Sequence, residues 1–401
     1  MKRANNQDPT RLLSIEQRQQ DWMGTRAKHV DVVITEECQL RCGYCYCLHK
    51  NKRHTMNRET AEKAVDFLLS HQDLFPERAV VFNFMGGEPL LAIDIIDHFC
   101  DYFKRQSFLQ DHPWFEMYRF IMTTNGLLYS HPATQHFIDK NREHLEITIT
   151  LDGTERKHDM QRVFPDGKGS YKEVVKQIPL WLEQFPNANT KVTFAHEDLP
   201  YVCESILHIW DLGIKSINAN VVFENVWEEG DDLLFEEQLK ELADTIIEKE
   251  LYLEYQCSLF DRYIGYPDNN LGNWCGSGKM ICVDAQGLLY PCVRFMDFTL
   301  ENRPAIIIGD IYSGIDSNKL RPFLALTRQA QSTEECLNCE VASGCAWCQA
   351  VNYDHADSET IYQRATFLCK CHKARVRANH YFWKKMDEIK QHRKDIISVN
   401  D

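Results

Sequence analysis

The chain has 401 residues, 44% hydrophobic and 26% charged, with a formal net charge of −14; that is the composition of a folded protein with room for two or three domains, and it excludes disorder as the default. Lys and Arg are interspersed with acids, so there is no basic face of the kind phosphate binding needs, and nucleic acid is excluded as a partner. Neither a basic and apolar signal segment nor an apolar run of about 18 residues occurs, so the chain is expected to be cytoplasmic, with no membrane span.

An N-terminal extension occupies residues 1–30. From 31 to 223, short β-branched or aromatic runs alternate with amphipathic helical stretches, the mark of parallel βαβ units. Strands are expected at Val30–Thr35, Ala79–Met85, Tyr118–Thr123, Leu145–Leu151, Thr190–Ala195 and Lys215–Val222, with helices such as Glu59–Leu69, capped by Asn57, and Tyr171–Gln184. A closed eight-unit barrel takes about 250 residues, roughly 31 per unit. This span therefore suits about six units: an α/β fold with a partial (β/α)6 TIM-like barrel, open on one side. Residues 224–273 read as a helical connection carrying the acidic, amphipathic stretch Leu234–Tyr252. Cysteine-bearing hairpins fill 274–371, and the last segment, 372–401, holds an amphipathic helix from about Lys373 to His392.

Sixteen cysteines in a chain expected in a reducing compartment point to metal binding rather than to disulfides. After the first strand come Cys38, Cys42 and Cys45, with three and then two residues between them. Three thiolates can hold three irons of a cubane and leave the fourth open to an outside ligand. The loop after a strand's C-terminal end is also where βα barrels place their chemistry. A structural zinc would need a fourth ligand nearby, which is missing. The motif resembles the CxxxCxxC of radical S-adenosylmethionine (SAM) enzymes, with Tyr44 as the aromatic before the last cysteine.

Two further stretches extend the resemblance. Gly86-Gly87-Glu88-Pro89 is similar to the family's Gly-Gly-Glu-Pro motif, which implies that Gly86, Gly87 and Glu88 bind the SAM amino group. Glycines permit close backbone approach to a ligand, and a carboxylate pairs with an ammonium. Thr150-Leu151-Asp152-Gly153 followed by His158-Asp159-Met160-Gln161-Arg162 resembles a paired motif of SPASM-type radical SAM enzymes. By that resemblance Thr150 contacts the SAM ribose and Arg162 its carboxylate.

The C-terminal cysteines resemble the SPASM domain. Cys275 is followed by Gly287-x4-Cys292, then Cys336, Cys339, Cys345 and Cys348, and last Cys369 or Cys371. Cys348 departs from the pattern by one residue, and Cys282 lies inside the first hairpin. With Cys282 and Cys369 the set reaches the eight thiolates that two fully ligated cubanes require; with Cys282 in the core, one auxiliary cluster keeps an open iron. Zinc knuckles are the competing reading, but the short spacer between the Cys-x2-Cys pairs and the hairpin cysteines disfavour them. Cys47, Cys100, Cys203 and Cys257 read as buried structural cysteines.

The resemblance implies SAM and three 4Fe-4S clusters as cofactors, and a flavodoxin or ferredoxin as electron donor. SPASM enzymes mostly act on peptides, so the expected partner is a precursor peptide. A sulfatase maturase would carry Asp directly after the hairpin cysteine, where Val293 and Arg294 stand here, and neither is a base at neutral pH. The chain, including the tail His372–Asn379, looks closer to maturases that form Cys thioethers in Cys-rich-repeat peptides of the sactipeptide and ranthipeptide type. Epimerisation, carbon–carbon cross-linking and a non-catalytic Fe-S or zinc scaffold are the other readings. About 30 residues ahead of the first strand are too few for a leader-recognition domain, so leader binding is expected elsewhere.

Overall fold

The computed structural model describes residues 27–50, 54–266, 275–355 and 360–400, with side chains as far as His392 in the last stretch. Most of the expected N-terminal extension, residues 1–26, lies outside the described residues. Strands β1 (Ala27–Thr35), β2 (Ala79–Gly86), β3 (Tyr118–Thr124) and β4 (Leu145–Ile149) pair in parallel in that order. A second parallel ladder joins β5 (Asn189–Phe194), β6 (Ser216–Val221) and the short β7 (Gln256–Cys257). The two ladders meet at a seam made by one parallel bridge, Thr150 with Lys191. There the buried Thr190 hydroxyl donates to the Ile149 carbonyl at 2.6 Å and accepts from the Leu151 amide at 3.2 Å. Six consecutive strands thus wrap into the expected partial barrel. The strand after Leu145 stops at Ile149 because Leu151 spends its amide on this seam.

Helices cover the outside: α1 (Arg58–Ser70), α2 (Ile93–Leu109), α3 (Pro132–Asn141), α4 (Glu155–Gln161), α5 (Tyr171–Val175), α6 (Ile178–Gln184) and α7 (Val202–Asp211). Asn57 caps α1, its side-chain oxygen accepting from the Thr60 amide at 2.8 Å. The single helix expected over Tyr171–Gln184 is broken between Val175 and Ile178. Pro179 has no N–H to give, and its ring opposes the Val175 carbonyl four residues back. Between α2 and the sheet lie Phe82, Phe84, Phe99, Phe103 and Phe120, all fully buried, with the rings of Phe82 and Phe103 edge-on at 4.8 Å. Removing one such ring costs about 3–5 kcal/mol.

The connection is helix α8 (Asp231–Glu248), which starts after Gly230 at φ 93° and ends a turn earlier than expected. Beyond it, β8 (Ile281–Val283) and β9 (Leu288–Tyr290) form a hairpin whose turn is closed by Asp284, its carboxylate accepting from the Gln286 and Leu288 amides at 2.8 Å. This hairpin joins the barrel: β8 pairs in parallel with β1, from Val30–Ile281 to Val32–Val283. Strands β10 (Gly309–Asp310) and β11 (Gly314–Ile315) extend the same sheet. The outer edge of β1 is therefore covered, and the strand that leads into the first cysteine loop also carries the C-terminal hairpin. Helix α9 (Ser317–Ala325), helix α10 (Gln349–His355) and the long α11 (Cys369–Asn400) complete the chain. α11 begins earlier than the sequence suggests and packs along α8, where Lys385 pairs with Asp244 at 2.7 Å. Among the described residues no helix is long and apolar enough to cross a membrane.

Candidate active site

The register of β1 slips between Val33 and Thr35, which re-aims the chain as it leaves the sheet. The loop that follows is held by backbone on both sides. Gly87 donates to the Thr35 carbonyl at 2.9 Å and Glu88 to that of Glu37 at 2.8 Å, while Arg41 and Gly43 donate to Val163 and Gln161 at 2.7 and 3.0 Å. A Cβ on Gly86, where φ is +154°, would stand 2.0 Å from the Thr35 oxygen, and one on Gly87 2.3 Å from the Glu37 oxygen. Here the two glycines are needed by the neighbouring cysteine loop, a reason the sequence reading, which assigned them to a ligand, did not contain.

Cys38, Cys42, Tyr44, Cys45, Gly86, Gly87, Glu88, Thr150 and Arg162 all line one cavity of about 240 Å³. Burial pushes the Cys38 thiol up to about 11 and raises Cys42 as well. Cys45 is held well below the ordinary thiol range, first by a hydrogen bond from the Cys47 thiol. Lys50 lies against all three cysteines; burial pulls its ammonium down, and the Cys45, Cys38 and Cys42 thiols more than offset that pull.

Glu88 is 1% exposed. Its carboxylate accepts from the Leu90 amide at 3.1 Å, the Thr124 hydroxyl at 2.6 Å and the Asn125 amide at 2.8 Å, so the loop after β3 fixes it in place. Arg162, also buried, donates through Nη1 to the Tyr44 hydroxyl at 3.0 Å, and its buried Nε has no partner. The Tyr44 hydroxyl in turn donates to Asp152. Fully buried Lys157 stands 3.6 Å from Asp152 and 3.8 Å from Asp198. Burial drives His158 down to about 3, so its ring is neutral. It accepts from the Asp152 amide at 3.3 Å and meets the Ser170 hydroxyl at 3.0 Å. Of the His-Asp-x-x-Arg stretch only Arg162 reaches the cavity; His158 and Asp159, whose carboxylate accepts from the Tyr171 amide at 2.9 Å, shape the turn behind it.

The later cysteines fall into two groups. Cys275 and Cys292 share the Ser277 hydroxyl at 3.3 and 3.5 Å, and Cys348 bears electrostatically on both Cys292 and Arg294. Cys336, Cys339, Cys345 and Cys369 line a second cavity of about 720 Å³. Cys371, on another face of α11, is 3% exposed in the main core. Cys282 stands near enough to Cys292 for the two thiols to interact electrostatically, but it lines neither cavity. Its register on β8 aims the thiol into an apolar cluster with Cys47, Tyr290 and Val293, 3.7 Å from the Met296 sulfur, a core packing that does not support its expected placement among the ligands. Cys100, Cys203 and Cys257 pack as structural cysteines, whereas Cys47 also borders the active cavity.

Several cavity residues escaped the sequence reading: Lys50, Asn125, Lys191, Glu224 and Arg294. Asn125-Gly126, a turn dipeptide at the C-terminal end of a barrel strand, was a usable signal. Arg294 pairs with Glu224, lies 4.6 Å over the Tyr46 ring, and joins the cavity to the Cys275, Cys292 and Cys348 group.

Among the described residues no three His, Cys, Asp or Glu side chains stand close enough to hold a single metal ion; the thiols line shared cavities instead. Three thiols and a cation around one hollow suit a cubane as a donor set, and the unpartnered Arg162 nitrogen and anchored Glu88 carboxylate suit the carboxylate and ammonium of SAM.

Residues 32–197 match the family model described as the Radical SAM superfamily. The chain is 24% identical over 346 residues to the serine-type anaerobic sulfatase-maturating enzyme of Bacteroides thetaiotaomicron, covering 77% of this chain and 78% of that protein. It is 26% identical over 195 residues to an uncharacterized protein of Methanocaldococcus jannaschii, covering 49% of this chain and 63% of that one. In structure it is similar to native anSMEcpe with bound AdoMet and Cp18Cys peptide, with a TM-score of 0.70 at 19% identity over 90% of this chain and 99% of the other. Streptococcus suis SuiB bound to the precursor peptide SuiA gives 0.59 at 13% identity over 87% and 77%. The architecture is thus the radical SAM partial barrel with a C-terminal cysteine-rich region, and the stretch that matches the radical SAM model, residues 32–197, is the one that carries the Cys38, Cys42 and Cys45 loop, Gly86-Gly87-Glu88 and Arg162.

Proposed function

We propose that this chain is a radical SAM enzyme that removes a hydrogen from a ribosomally made peptide and closes a Cys thioether in it, with SAM and three 4Fe-4S clusters, one on Cys38, Cys42 and Cys45 and two in residues 274–371. The observation that carries the reading is the seam at Arg294 and Glu224, where the cavity of the SAM motifs borders the Cys275, Cys292 and Cys348 group. When bound, the reduced first cluster supplies the electron that splits SAM into methionine and a 5′-deoxyadenosyl radical.

The chain's own residues prepare that event. Glu88, immobilised by three donors, presents charge to an ammonium, and Arg162 turns its free nitrogen to a carboxylate. Tyr44 and Asp152 hold that guanidinium still, and Lys157 offsets the buried negative charge of Asp152 and Asp198. Lys50 balances the thiolates, which must lose their protons to bind iron. On the far side of the seam, Cys275, Cys292 and Cys348 supply three ligands, and Cys282 in the core leaves a fourth position for a substrate thiol, which metal coordination would deprotonate.

The sulfatase-maturing relatives suggest a second reading, in which a carboxylate beside Cys292 acts as base. Val293 is an apolar residue buried in a hydrophobic cluster, and Glu224 is paired with Arg294, so neither position offers a free carboxylate beside Cys292. Cytoplasmic location and a flavodoxin or ferredoxin donor belong to the same proposal. The test is mass spectrometry of a precursor peptide, encoded by a neighbouring gene, coexpressed with the enzyme. Loss of two hydrogens at a Cys supports the thioether, an unchanged mass points to epimerisation, and Cys292→Ala should abolish the cross-link while 5′-deoxyadenosine formation survives.

A further inference from the structure

Arg364 lies on the segment ahead of α11 and is 6% exposed. Its surroundings hold it rigidly: its own amide donates to the Gln331 carbonyl at 2.9 Å, the Gln331 side chain returns to the Ile361 carbonyl at 2.8 Å, and the Ala365 amide donates to Asn352 at 2.8 Å. The guanidinium stacks 4.6 Å over the Trp347 ring. Among the described residues it meets no carboxylate. Its Nη2 donates instead to the Cys345 sulfur at 2.7 Å and to the Cys345 carbonyl at 3.4 Å.

A buried guanidinium cannot shed its proton, and a buried charge is costly unless an anion faces it. A neutral thiol is no such anion; a metal-bound thiolate is. Cys345 shares its cavity with Cys336, Cys339 and Cys369. Arg294, which stands beside the Cys275, Cys292 and Cys348 group, already has Glu224 as counter-ion.

We infer that Arg364 is a redox-positioning residue, whose charge-assisted N–H···S bond to Cys345 raises the reduction potential of a 4Fe-4S cluster held by Cys336, Cys339, Cys345 and Cys369. This rests on the proposed auxiliary clusters. Reduction puts one more electron on the cluster and its sulfurs, so a fixed cation donating to one of them stabilises the reduced form more than the oxidised one. Hydrogen bonds to sulfur and burial are the levers by which a protein sets such potentials. Lysine is a poor substitute, since it has neither the planar fork nor the stacking face that holds this geometry.

The test uses the full chain with Cys38, Cys42 and Cys45 replaced by Ala, so that only auxiliary clusters contribute. Reconstituted anaerobically with 15N-arginine and reduced, this parent should show a 15N hyperfine coupling by pulsed EPR. Arg364→Lys should abolish that coupling and shift one cluster's midpoint potential downward, and Arg364→Met should shift it further, with iron content unchanged. If Arg364→Met fails to hold iron, the parent coupling and the Arg364→Lys potential decide. No coupling in the parent, or equal potentials in parent and Arg364→Lys, overturns the inference. A parent that binds only one cubane of iron refutes the two-auxiliary-cluster reading, a failure visible in the iron count before any potential is measured.

Discussion

Replacing Gly87 by Ala tests whether the loop after β2 sets the position of the cysteine loop. The new Cβ would stand 2.3 Å from the Glu37 oxygen, 2.6 Å from its carbonyl carbon and 2.8 Å from the Glu36 oxygen. All three are backbone atoms, so no side-chain rotation relieves the clash and one loop has to move. Movement weakens the bonds from Gly87 to Thr35 and from Glu88 to Glu37, worth about 1 kcal/mol each. Forced displacement in packed surroundings adds about 1–3 kcal/mol, for an expected loss of about 3–5 kcal/mol. Glu37 immediately precedes Cys38, and a shift near 1 Å in such a site lowers rate about a hundredfold. The control is Gly167→Ala: φ there is +83°, but nothing lies within 4 Å of the added carbon. It should cost only about 1–2 kcal/mol of backbone strain and leave SAM cleavage intact. Anaerobic urea unfolding measures the stability of both variants, and 5′-deoxyadenosine yield measures cleavage. Equal behaviour of the two variants in both assays would refute the reasoning.

Replacing Cys38, Cys42 and Cys45 together by Ala should remove one cubane of iron from an expected total of about twelve irons and abolish SAM cleavage; loss of all iron from a folded protein would sink the separation of the sites. Glu88→Ala and Arg162→Ala should each weaken SAM binding by about tenfold or more, since each loses a charge-assisted contact of about 1.5–3 kcal/mol, and unaltered affinity in both, read by equilibrium binding, would discard their assignment. Cys282→Ala should lower stability by about 1–2 kcal/mol through lost packing and keep the parent iron content, whereas a missing cubane would return Cys282 to the ligands.

The barrel was legible because each strand announces itself locally, through β-branched runs bounded by turns. The pairing of β8 with β1 was not, since a three-residue strand, Ile281–Val283, says nothing about its partner. That Cys38, Cys42 and Cys45 belong together was legible from their spacing, and the family resemblance supplied the expectation of a cluster on them. What holds their loop was hidden, because the Gly87, Arg41 and Gly43 bonds run between backbone groups and leave no mark in side-chain type. Cys282 shows the limit of counting ligands: eight thiolates were wanted and eight could be found, but strand register decides which way a thiol faces. Lys50 and Arg364 escaped for a related reason, as a cation's role depends on which anion the fold brings beside it.

The arrangement also explains why one polar residue survives in the middle of β1. Asp31 is 3% exposed, and burial pushes its carboxyl up to about 6, so its charge at neutral pH is held at a cost. It accepts from the Asn83 side chain on β2 at 2.8 Å and from the backbone amide of Val293, the residue after Cys292. One carboxylate thus ties the strand that leads to Cys38, the strand that leads to Gly86 and Gly87, and the turn that presents Cys292. A leucine there would pack without this cost, but it would leave the Val293 amide and the Asn83 side chain without their acceptor in the interior, at about 1–3 kcal/mol each. Polar groups at that depth fix geometry more than they add stability. Here the geometry fixed is the relation between the loop of Cys38, Cys42 and Cys45 and the turn that presents Cys292, the two ends of the proposed reaction.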